Sequence, residues 1–169
     1  MRVIYGNGGH GQDIADALQI TRFYDDLPDR RNTRLRPPFK MCTEVYIGVN
    51  DPRQRRAIVE RHHLTQRGTW LHPYAVVGPG CSFGEHVHIN AGVTITRTTV
   101  GAFTTISPGA NICGDVTIGE TVAIGAGAVV CQFSTIGDGA VIAAGAVIPP
   151  HTNVPCGETW GGVPARRLS

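Results

Sequence analysis

Hydrophobic residues recur along the second half of the chain with a period of six. From Leu71 an aliphatic or aromatic residue stands at every sixth position to Ile95, and after a shift of one residue the spacing resumes from Val100 to Val154. Two apolar positions in each six match neither the ~3.6-residue period of a helix nor the alternation of a strand. The pattern predicts a β-solenoid in which each repeat forms one short strand and one turn.

The beginning of the chain follows a different pattern, that of a small α/β unit. The sequence MRVIY at 1–5 predicts a buried strand, GNGGHG at 6–11 a tight turn, and residues 12–18 a helix. A glycine-rich turn before a helix N-terminus presents backbone N–H groups that can bind phosphates. Asp25 and Asp26 follow at a distance where an acidic side chain can bind ribose hydroxyls. A plain turn without a ligand is the alternative for the glycine motif.

A second strand and helix complete the predicted N-terminal unit. Residues 45–49 form an apolar run, and Asn50-Asp51-Pro52 is typical of a helix start, so we expect a helix from Arg53 to about His62. About 70 residues barely make one of the two halves that a nicotinamide dinucleotide needs. A nucleotide-sugar diphosphate fits this size better.

Glycine and charge also divide the chain near Trp70. Residues 71–169 hold 16 of the 22 glycines, whereas residues 1–70 hold 12 of the 15 basic residues. We therefore expect an α/β unit over 1–70 and a solenoid with a short C-terminal tail over 71–169. The net charge of +2 argues against a nucleic-acid partner, and the apolar stretches are too short to span a membrane. Five cysteines without a CxxC pair argue against structural zinc and favour a cytoplasmic protein.

Four stretches together resemble one family over the whole chain. These are GNGGHGQDIADAL, YDD, IGVNDPRQRRAIVER and hexapeptide repeats ending in GGVPARRL. They resemble the sugar O- and N-acetyltransferases related to sialic-acid O-acetyltransferase and the bacillosamine-pathway UDP-amino-sugar acetyltransferase. The resemblance implies a left-handed parallel β-helix of about five coils that forms a homotrimer, with no metal. It also implies an N-terminal unit that binds a nucleotide sugar, with acetyl-CoA in the groove between neighbouring β-helices.

The resemblance assigns roles to named residues. The nucleotide-sugar site is expected at Asn7, Gly8, Gly9, His10, Asp25, Asp26 and Asn50. Small residues beside Ala126 and Ala144 suit a pantetheine arm, and Arg166 and Arg167 are candidates for the 3′-phosphate of CoA. A solvated basic tail is the alternative for the two arginines, and a solvent-facing loop position is the alternative for His10.

The family's catalytic histidine is missing at its expected place. In this family a histidine deprotonates the acceptor, an acidic neighbour orients that histidine, and a backbone N–H, here that of Gly114, polarises the thioester carbonyl. The corresponding repeat begins at Ile95 and is one residue short, so the histidine position falls on Arg97 or, with a shifted gap, on Thr96. Arginine stays protonated and cannot act as a base. A second family histidine is replaced by Thr105.

Two histidines of the preceding coil are candidates to replace the lost base. His88 is expected to stack on Thr105, one coil away, and His86 is the weaker candidate. The alternative is that both are ordinary outward-facing strand residues. The enzyme then works without this base, on an amine that is already partly deprotonated, or has lost catalysis and kept ligand binding. The expected function is acetyl-CoA-dependent acetylation of a nucleotide-linked amino sugar or a sialic-acid-like sugar in glycan biosynthesis. The alternative function is a catalytically silent trimeric protein that binds a sugar nucleotide.

Overall fold

The structure is a computed structural model that describes the chain in six segments. These are residues 2–5, 14–16, 18, 23–24, 44–64 and 68–169. No helix in this part of the chain has both the length and the hydrophobicity that crossing a lipid bilayer requires.

The N-terminal unit contains a three-stranded parallel sheet and a helix. Its strands are β1 (Arg2–Tyr5), β2 (Phe23–Tyr24) and β3 (Glu44–Ile47), in the order β2-β1-β3. Helix α1 (Pro52–Arg61) begins after Asp51, whose Oδ1 accepts hydrogen bonds from the N–H groups of Arg53 at 2.8 Å and Gln54 at 3.0 Å. Asp51 is thus an N-cap, as the sequence predicted, because it satisfies two backbone donors of the first turn.

The second unit is a parallel β-solenoid with three flat faces. Face 1 consists of β4 (Trp70–Leu71), β7 (His88–Ile89), β10 (Thr105–Ile106), β13 (Ala123–Ile124), β16 (Val141–Ile142) and β19 (Thr159–Gly162), followed by the antiparallel β20 (Ala165–Arg167). Face 2 consists of β5 (Val76–Val77), β8 (Thr94–Ile95), β11 (Asn111–Ile112), β14 (Val129–Val130) and β17 (Val147–Ile148). Face 3 consists of β6 (Ser82–Phe83), β9 (Thr98–Val100), β12 (Val116–Ile118), β15 (Thr135–Ile136) and β18 (Asn153–Val154).

The six-residue pattern matches the strands directly, which confirms the predicted β-helix. Stacked partners such as Ile106 and Ile124 are 18 residues apart, and both are fully buried. The apolar ladders on the three faces form one continuous core, in which truncating an isoleucine to alanine costs about 2–5 kcal/mol. Leu71 and Val77 were expected to point inward like the others but are 42% and 39% exposed. They belong to the first coil, which has a neighbouring coil on one side only.

Three edges join the faces, and each contains a residue with positive φ in every coil, except that residues 72–75 of the first coil have none. The glycine edge, between faces 1 and 2, has Gly92, Gly109, Gly127 and Gly145. The cleft edge, between faces 2 and 3, has Gly80, Arg97, Asp115, Phe133 and His151. The docking edge, between faces 3 and 1, has His86, Phe103, Thr121, Gly139 and Gly157.

Candidate functional site

The short repeat removes one residue from the cleft edge. Its flanking strands stay in register, with Ile95 opposite Ile112 and Thr98 opposite Val116. Residues 96–97 therefore turn the edge that residues 113–115 turn in the next coil. Arg97 and Asp115 both have the positive φ that marks the turn of this edge, so these two residues correspond and the missing position lies opposite Gly114. The histidine position of the family pattern thus falls on neither Thr96 nor Arg97, because it is deleted between them.

The side chain of Arg97 occupies the space that the deletion leaves. A methyl group placed on Gly114 would lie only 2.9 Å from Cζ of Arg97, so the guanidinium rests against this glycine. Its Nη2 also pairs with Oδ2 of Asp115 at 3.3 Å, with the two side chains 60% and 44% exposed. An ion pair this exposed contributes about 0–1 kcal/mol, so a ligand can displace it at little cost.

Gly114 borders a shallow cleft on face 2. The cleft has a volume of about 400 Å³, and Val76, Thr94, Thr96 and Cys113 contribute to its lining. The carbonyl of Gly114 accepts a hydrogen bond from the N–H of Phe133 at 3.4 Å, but its own N–H donates to no acceptor in the described part of the chain. Gly114 itself is buried, with the guanidinium of Arg97 against it. A backbone N–H without an acceptor beside a cleft can bind a carbonyl oxygen of a ligand.

A buried arginine of α1 fastens the N-terminal unit to the docking edge. Arg55 is fully buried, and its guanidinium donates to the carbonyls of Val49 (2.8 Å), His86 (2.9 Å) and Phe103 (2.5 Å) and to Oγ1 of Thr105 (2.9 Å). Burial lowers the pKa of Arg55 to about 9, an effect that the charge of Asp51 opposes. Arg55 is therefore still charged at neutral pH. Nothing in the sequence pattern of α1 distinguishes Arg55 from the arginines beside it.

Thr105 belongs to the same network rather than to the cleft. Its hydroxyl donates to the carbonyl of Asn50 at 2.7 Å while it accepts from Arg55. Oδ1 of Asn50 in turn accepts from Nδ2 of Asn90 at 3.4 Å. The position where the family has its second histidine thus anchors the loop that follows β3, and Asn50 is held with its side chain exposed.

His88 and His86 are placed where neither can replace the missing base. His88 is fully buried beneath α1, with Nδ1 3.4 Å from Nη1 of Arg55. His86 is 2% exposed and stacks on Phe103 at 5.3 Å. Burial and the charge of Arg55 lower the pKa of His86 to about 4, against the opposing effect of Glu85. A general base must reach its acceptor, so this geometry contradicts the hypothesis that His88 or His86 supplies the base.

The expected cofactor residues are distributed over two places in one chain. Ala126 and Ala144 each precede a residue of the glycine edge, so face 2 separates them from Gly114. Arg166 and Arg167 lie on β20, at the C-terminal end of the solenoid, where Nε of Arg167 pairs with Glu158 at 3.3 Å. Within one chain these residues and Gly114 do not form a common site.

Most of the expected nucleotide-sugar residues lie outside the described part of the chain. These are Asn7, Gly8, Gly9, His10, Asp25 and Asp26. Of the predicted set, only Asn50 has a described environment. The described residues contain no cluster of three or more His, Cys, Asp or Glu side chains that could hold a metal ion.

Comparison with known proteins identifies relatives over nearly the whole chain. Residues 118–150 match the family described as "Bacterial transferase hexapeptide (six repeats)". The acetyltransferase domain of PglB from Neisseria gonorrhoeae FA1090 is 28% identical with a TM-score of 0.77, over 99% of this chain and 98% of that one. The same domain is also known in complex with acetyl coenzyme A. PerB from Caulobacter crescentus, in complex with CoA and GDP-perosamine, is 25% identical with a TM-score of 0.76, over 99% and 97% of the two chains. No curated protein sequence matches the chain.

These matches, together with the six-residue repeat, make the chain similar to sugar acetyltransferases of the hexapeptide-repeat type. In this chain the edge that carries Gly114 has lost the residue opposite it and has gained the guanidinium of Arg97. The resemblance inferred from the sequence is thereby confirmed.

Proposed function

We propose that the protein transfers the acetyl group of acetyl-CoA to the amino group of a nucleotide-linked sugar. The observation that carries this proposal is the N–H of Gly114, which has no acceptor in the described residues and borders a cleft from which the base position has been deleted. The relatives support it, since one is known with acetyl coenzyme A and another with CoA and GDP-perosamine. Neither supplies the identity of the sugar for this chain.

The deleted base position favours an amine over a hydroxyl as the acceptor. A sugar hydroxyl stays protonated near neutral pH and needs a positioned base to attack a thioester, and such a base typically contributes ~10²–10⁴ in rate. An amino group exists partly in its neutral form near neutral pH and can attack without one. We therefore favour N-acetylation of an amino sugar over O-acetylation of a sialic-acid-like sugar.

The proposed arrangement of the site uses two chains. In a homotrimer the cleft edge of one protomer faces the groove to its partner, and acetyl-CoA binds in that groove with its thioester carbonyl at the N–H of Gly114. Small residues near Ala126 and Ala144 then line the pantetheine arm, and Arg166 and Arg167 bind the 3′-phosphate. This division accounts for the wide separation of these residues within one chain.

We place the acceptor at the N-terminal unit. Asn50 is exposed at the end of β3 and is held in place through its carbonyl by Thr105 and Arg55. The glycine-rich stretch 6–11 carries the diphosphate and Asp25 or Asp26 the ribose in this proposal. Acetylated nucleotide sugars are used in glycan assembly, so we assign the protein to cytoplasmic synthesis of surface polysaccharide or other glycans.

A thiol-release assay tests this function. The protein is incubated with acetyl-CoA and a panel of UDP-, GDP- and dTDP-linked amino sugars, each matched by the same nucleotide sugar with a hydroxyl in place of the amine. We expect free CoA thiol to appear in a one-to-one ratio with N-acetylated sugar for at least one amine and for none of the matched hydroxyl sugars. Turnover confined to hydroxyl acceptors would contradict the proposal.

The deletion also favours a second candidate, a silent homologue that binds a sugar nucleotide without transferring an acetyl group. The same panel separates the two functions if binding is measured calorimetrically alongside turnover. Binding of a nucleotide sugar with no thiol release from any acceptor would identify the silent protein.

A further inference from the structure

We infer that Arg97 is a catalytic residue that stabilises the negative charge on the thioester carbonyl oxygen during acetyl transfer. The inference rests on the proposed function and extends it. It assigns to an arginine the rate enhancement that a histidine base supplies in the family pattern.

The position of Arg97 beside Gly114 supports this role. The deletion lies opposite Gly114, and the guanidinium of Arg97 packs against this glycine, within 2.9 Å of where a side chain would begin. The N–H of Gly114 has no acceptor in the described part of the chain. A carbonyl oxygen bound at that N–H therefore lies beside a cationic group. Two donors converging on one oxygen are the usual composition of an oxyanion hole.

The exposure of Arg97 leaves its guanidinium available to a substrate. Arg97 is more than half exposed, and its contacts with Asp115 are long, at 3.3–3.4 Å. A buried arginine with short hydrogen bonds could not turn toward a substrate, as Arg55 illustrates. The Asp115 carboxylate also keeps the guanidinium near the cleft when no ligand is bound.

The backbone conformation of Arg97 also supports this role. Its φ is +43°, in the left-handed region that disfavours residues with a side chain. Glycine or asparagine would satisfy such a turn with less strain, and glycine is present at this edge in the preceding coil, at position 80, whereas Asp115, Phe133 and His151 share the conformation of Arg97 in the later coils. Strained positions of this kind tend to cluster where a side chain has a function, and the guanidinium of Arg97 rests against Gly114.

The chemical step balances without a base on the protein. The neutral amine nitrogen of the sugar attacks the thioester carbon and forms the N–C bond, while the carbonyl electron pair moves to oxygen beside Gly114 N–H and Arg97. The oxyanion then collapses, the C–S bond breaks, and CoA leaves as thiolate. The proton lost by the nitrogen passes through solvent to that thiolate. The products are the N-acetyl sugar and CoA.

The test compares Arg97→Gly and Arg97→Lys with the parent protein on an amino sugar that the parent acetylates. Glycine is chosen because it accepts the positive φ, so the backbone is retained while the guanidinium is lost. We expect kcat of Arg97→Gly to fall by roughly 10²–10³-fold, the usual effect of removing one oxyanion donor, with little change in the KM of the sugar. Arg97→Lys should retain an intermediate kcat. Arg61→Met, which removes an arginine from α1, is the control and should retain the parent kcat.

Two further readouts separate this role from a structural one. Added guanidinium ion should restore part of the activity of Arg97→Gly and should not affect the parent. In difference infrared spectra, the carbonyl band of bound acetyl-CoA labelled with ¹³C at the carbonyl carbon should lie at lower wavenumber in the parent than in Arg97→Gly. An undiminished kcat in Arg97→Gly, or an unchanged carbonyl band, would overturn this inference alone. A parent protein that acetylates no amino sugar would overturn the proposed function and this inference with it.

Discussion

The glycine edge and the other two edges of the solenoid meet the same backbone requirement with different residues. From the second coil onward every turn contains a positive φ, and the glycine edge provides it with Gly92, Gly109, Gly127 and Gly145. The cleft and docking edges place side chains there, among them Arg97, Phe133, His86 and Phe103. A side chain in this conformation costs roughly 1–2 kcal/mol relative to glycine.

This difference indicates which edges of the solenoid make specific contacts in addition to turning the chain. The docking edge uses its side chains and carbonyls to receive α1, with Arg55 binding the carbonyls of His86 and Phe103. The cleft edge has Arg97 beside Gly114, whose N–H has no acceptor in the described residues. The glycine edge makes no such contacts in the described chain, since added side chains at Gly109, Gly127 and Gly145 would meet open space. Strain therefore occurs where side chains make specific contacts.

Removing Arg55, the arginine of α1 that binds the docking edge, is expected to lower the free energy of unfolding the most. In Arg55→Met five backbone carbonyls and Oγ1 of Thr105 lose a donor, and a buried acceptor left unsatisfied costs about 1–3 kcal/mol. Because some of these acceptors can find water once α1 loosens, we expect a total loss of about 3–5 kcal/mol in the free energy of unfolding. Urea denaturation measures the loss, and hydrogen exchange should show α1 opening before the solenoid.

Arg53 provides the matched control for that experiment. It lies on the same helix and is exposed, and its side chain donates one hydrogen bond in the described structure, to the carbonyl of Gly139 at 3.3 Å. Arg53→Met should therefore change stability by less than about 1 kcal/mol. Equal losses in the two variants would show that Arg55 does not fasten the edge.

The buried histidine of the docking edge should make stability depend on pH. Its pKa is lowered from 6.5 to about 4, so below pH 6.5 the unfolded chain takes up a proton that folded His86 resists. The free energy of unfolding therefore falls as the pH drops from 6.5 to 4, by at most about 3 kcal/mol at ~1.4 kcal/mol per pKa unit. His86→Asn, which tolerates the positive φ, should remove this part of the dependence.

Carboxylates titrate in the same range, so the test is the difference between the two proteins. Thermal denaturation of parent and His86→Asn at pH 4 to 7 gives that difference directly. Parallel curves for the two proteins would contradict the lowered pKa.

Adding a side chain to the glycine edge should cost a smaller and predictable amount. Gly127 has a φ of +65° and no atom within reach of an added Cβ, so the penalty is conformational and not steric. We expect Gly127→Ala to lower the free energy of unfolding by about 1–2 kcal/mol, and Gly127→Asn by less, because asparagine tolerates this region. If Gly127→Ala leaves the free energy of unfolding in urea unchanged, the edges do not differ in backbone strain.

Replacing a side chain by glycine at the cleft edge should change the free energy of unfolding the least. Phe133 has a φ of +61° and is 54% exposed, and it stacks on His151 at 5.0 Å. Glycine at this position relieves the strain but loses the stacking, worth about 0.5–1.5 kcal/mol, so Phe133→Gly should be close to neutral. Phe133→Ala loses the stacking and keeps the strain, and it should be about 1 kcal/mol less stable than Phe133→Gly. The reverse order of the two melting temperatures would contradict this account.

Periodicity predicted most of the solenoid, because an inward residue at every sixth position is a property of the sequence itself. The same pattern located the short repeat at residues 95–99. It did not locate the gap within that repeat, since Thr96 and Arg97 fit the pattern equally well until strand pairing placed the missing residue opposite Gly114.

Contacts between the two units were not predictable in this way. Arg53, Arg55 and Arg56 are alike in the sequence of α1, and only docking on face 1 shows that Arg55 is the buried one. The place of His88 in the repeat makes it a candidate base, but the same place brings it beneath α1, where it is buried. Thr105, which replaces the second histidine, is part of this contact between α1 and the solenoid. The sequence does not show this role, because it depends on Arg55 and Asn50 lying beside Thr105 in the structure.

The pH dependence of kcat/KM for acetylation of an amino sugar tests most directly whether acetyl transfer occurs here without a histidine base. In the parent protein the rate should rise with pH along a single ionisation, that of the acceptor amine, since kcat/KM reports groups of the free enzyme and free substrate. Histidine inserted between residues 96 and 97 should add a second ionisation near pH 6.5, and alanine inserted there should not. An ionisation near pH 6.5 in the parent that disappears on replacing one of its histidines with glutamine would contradict the account.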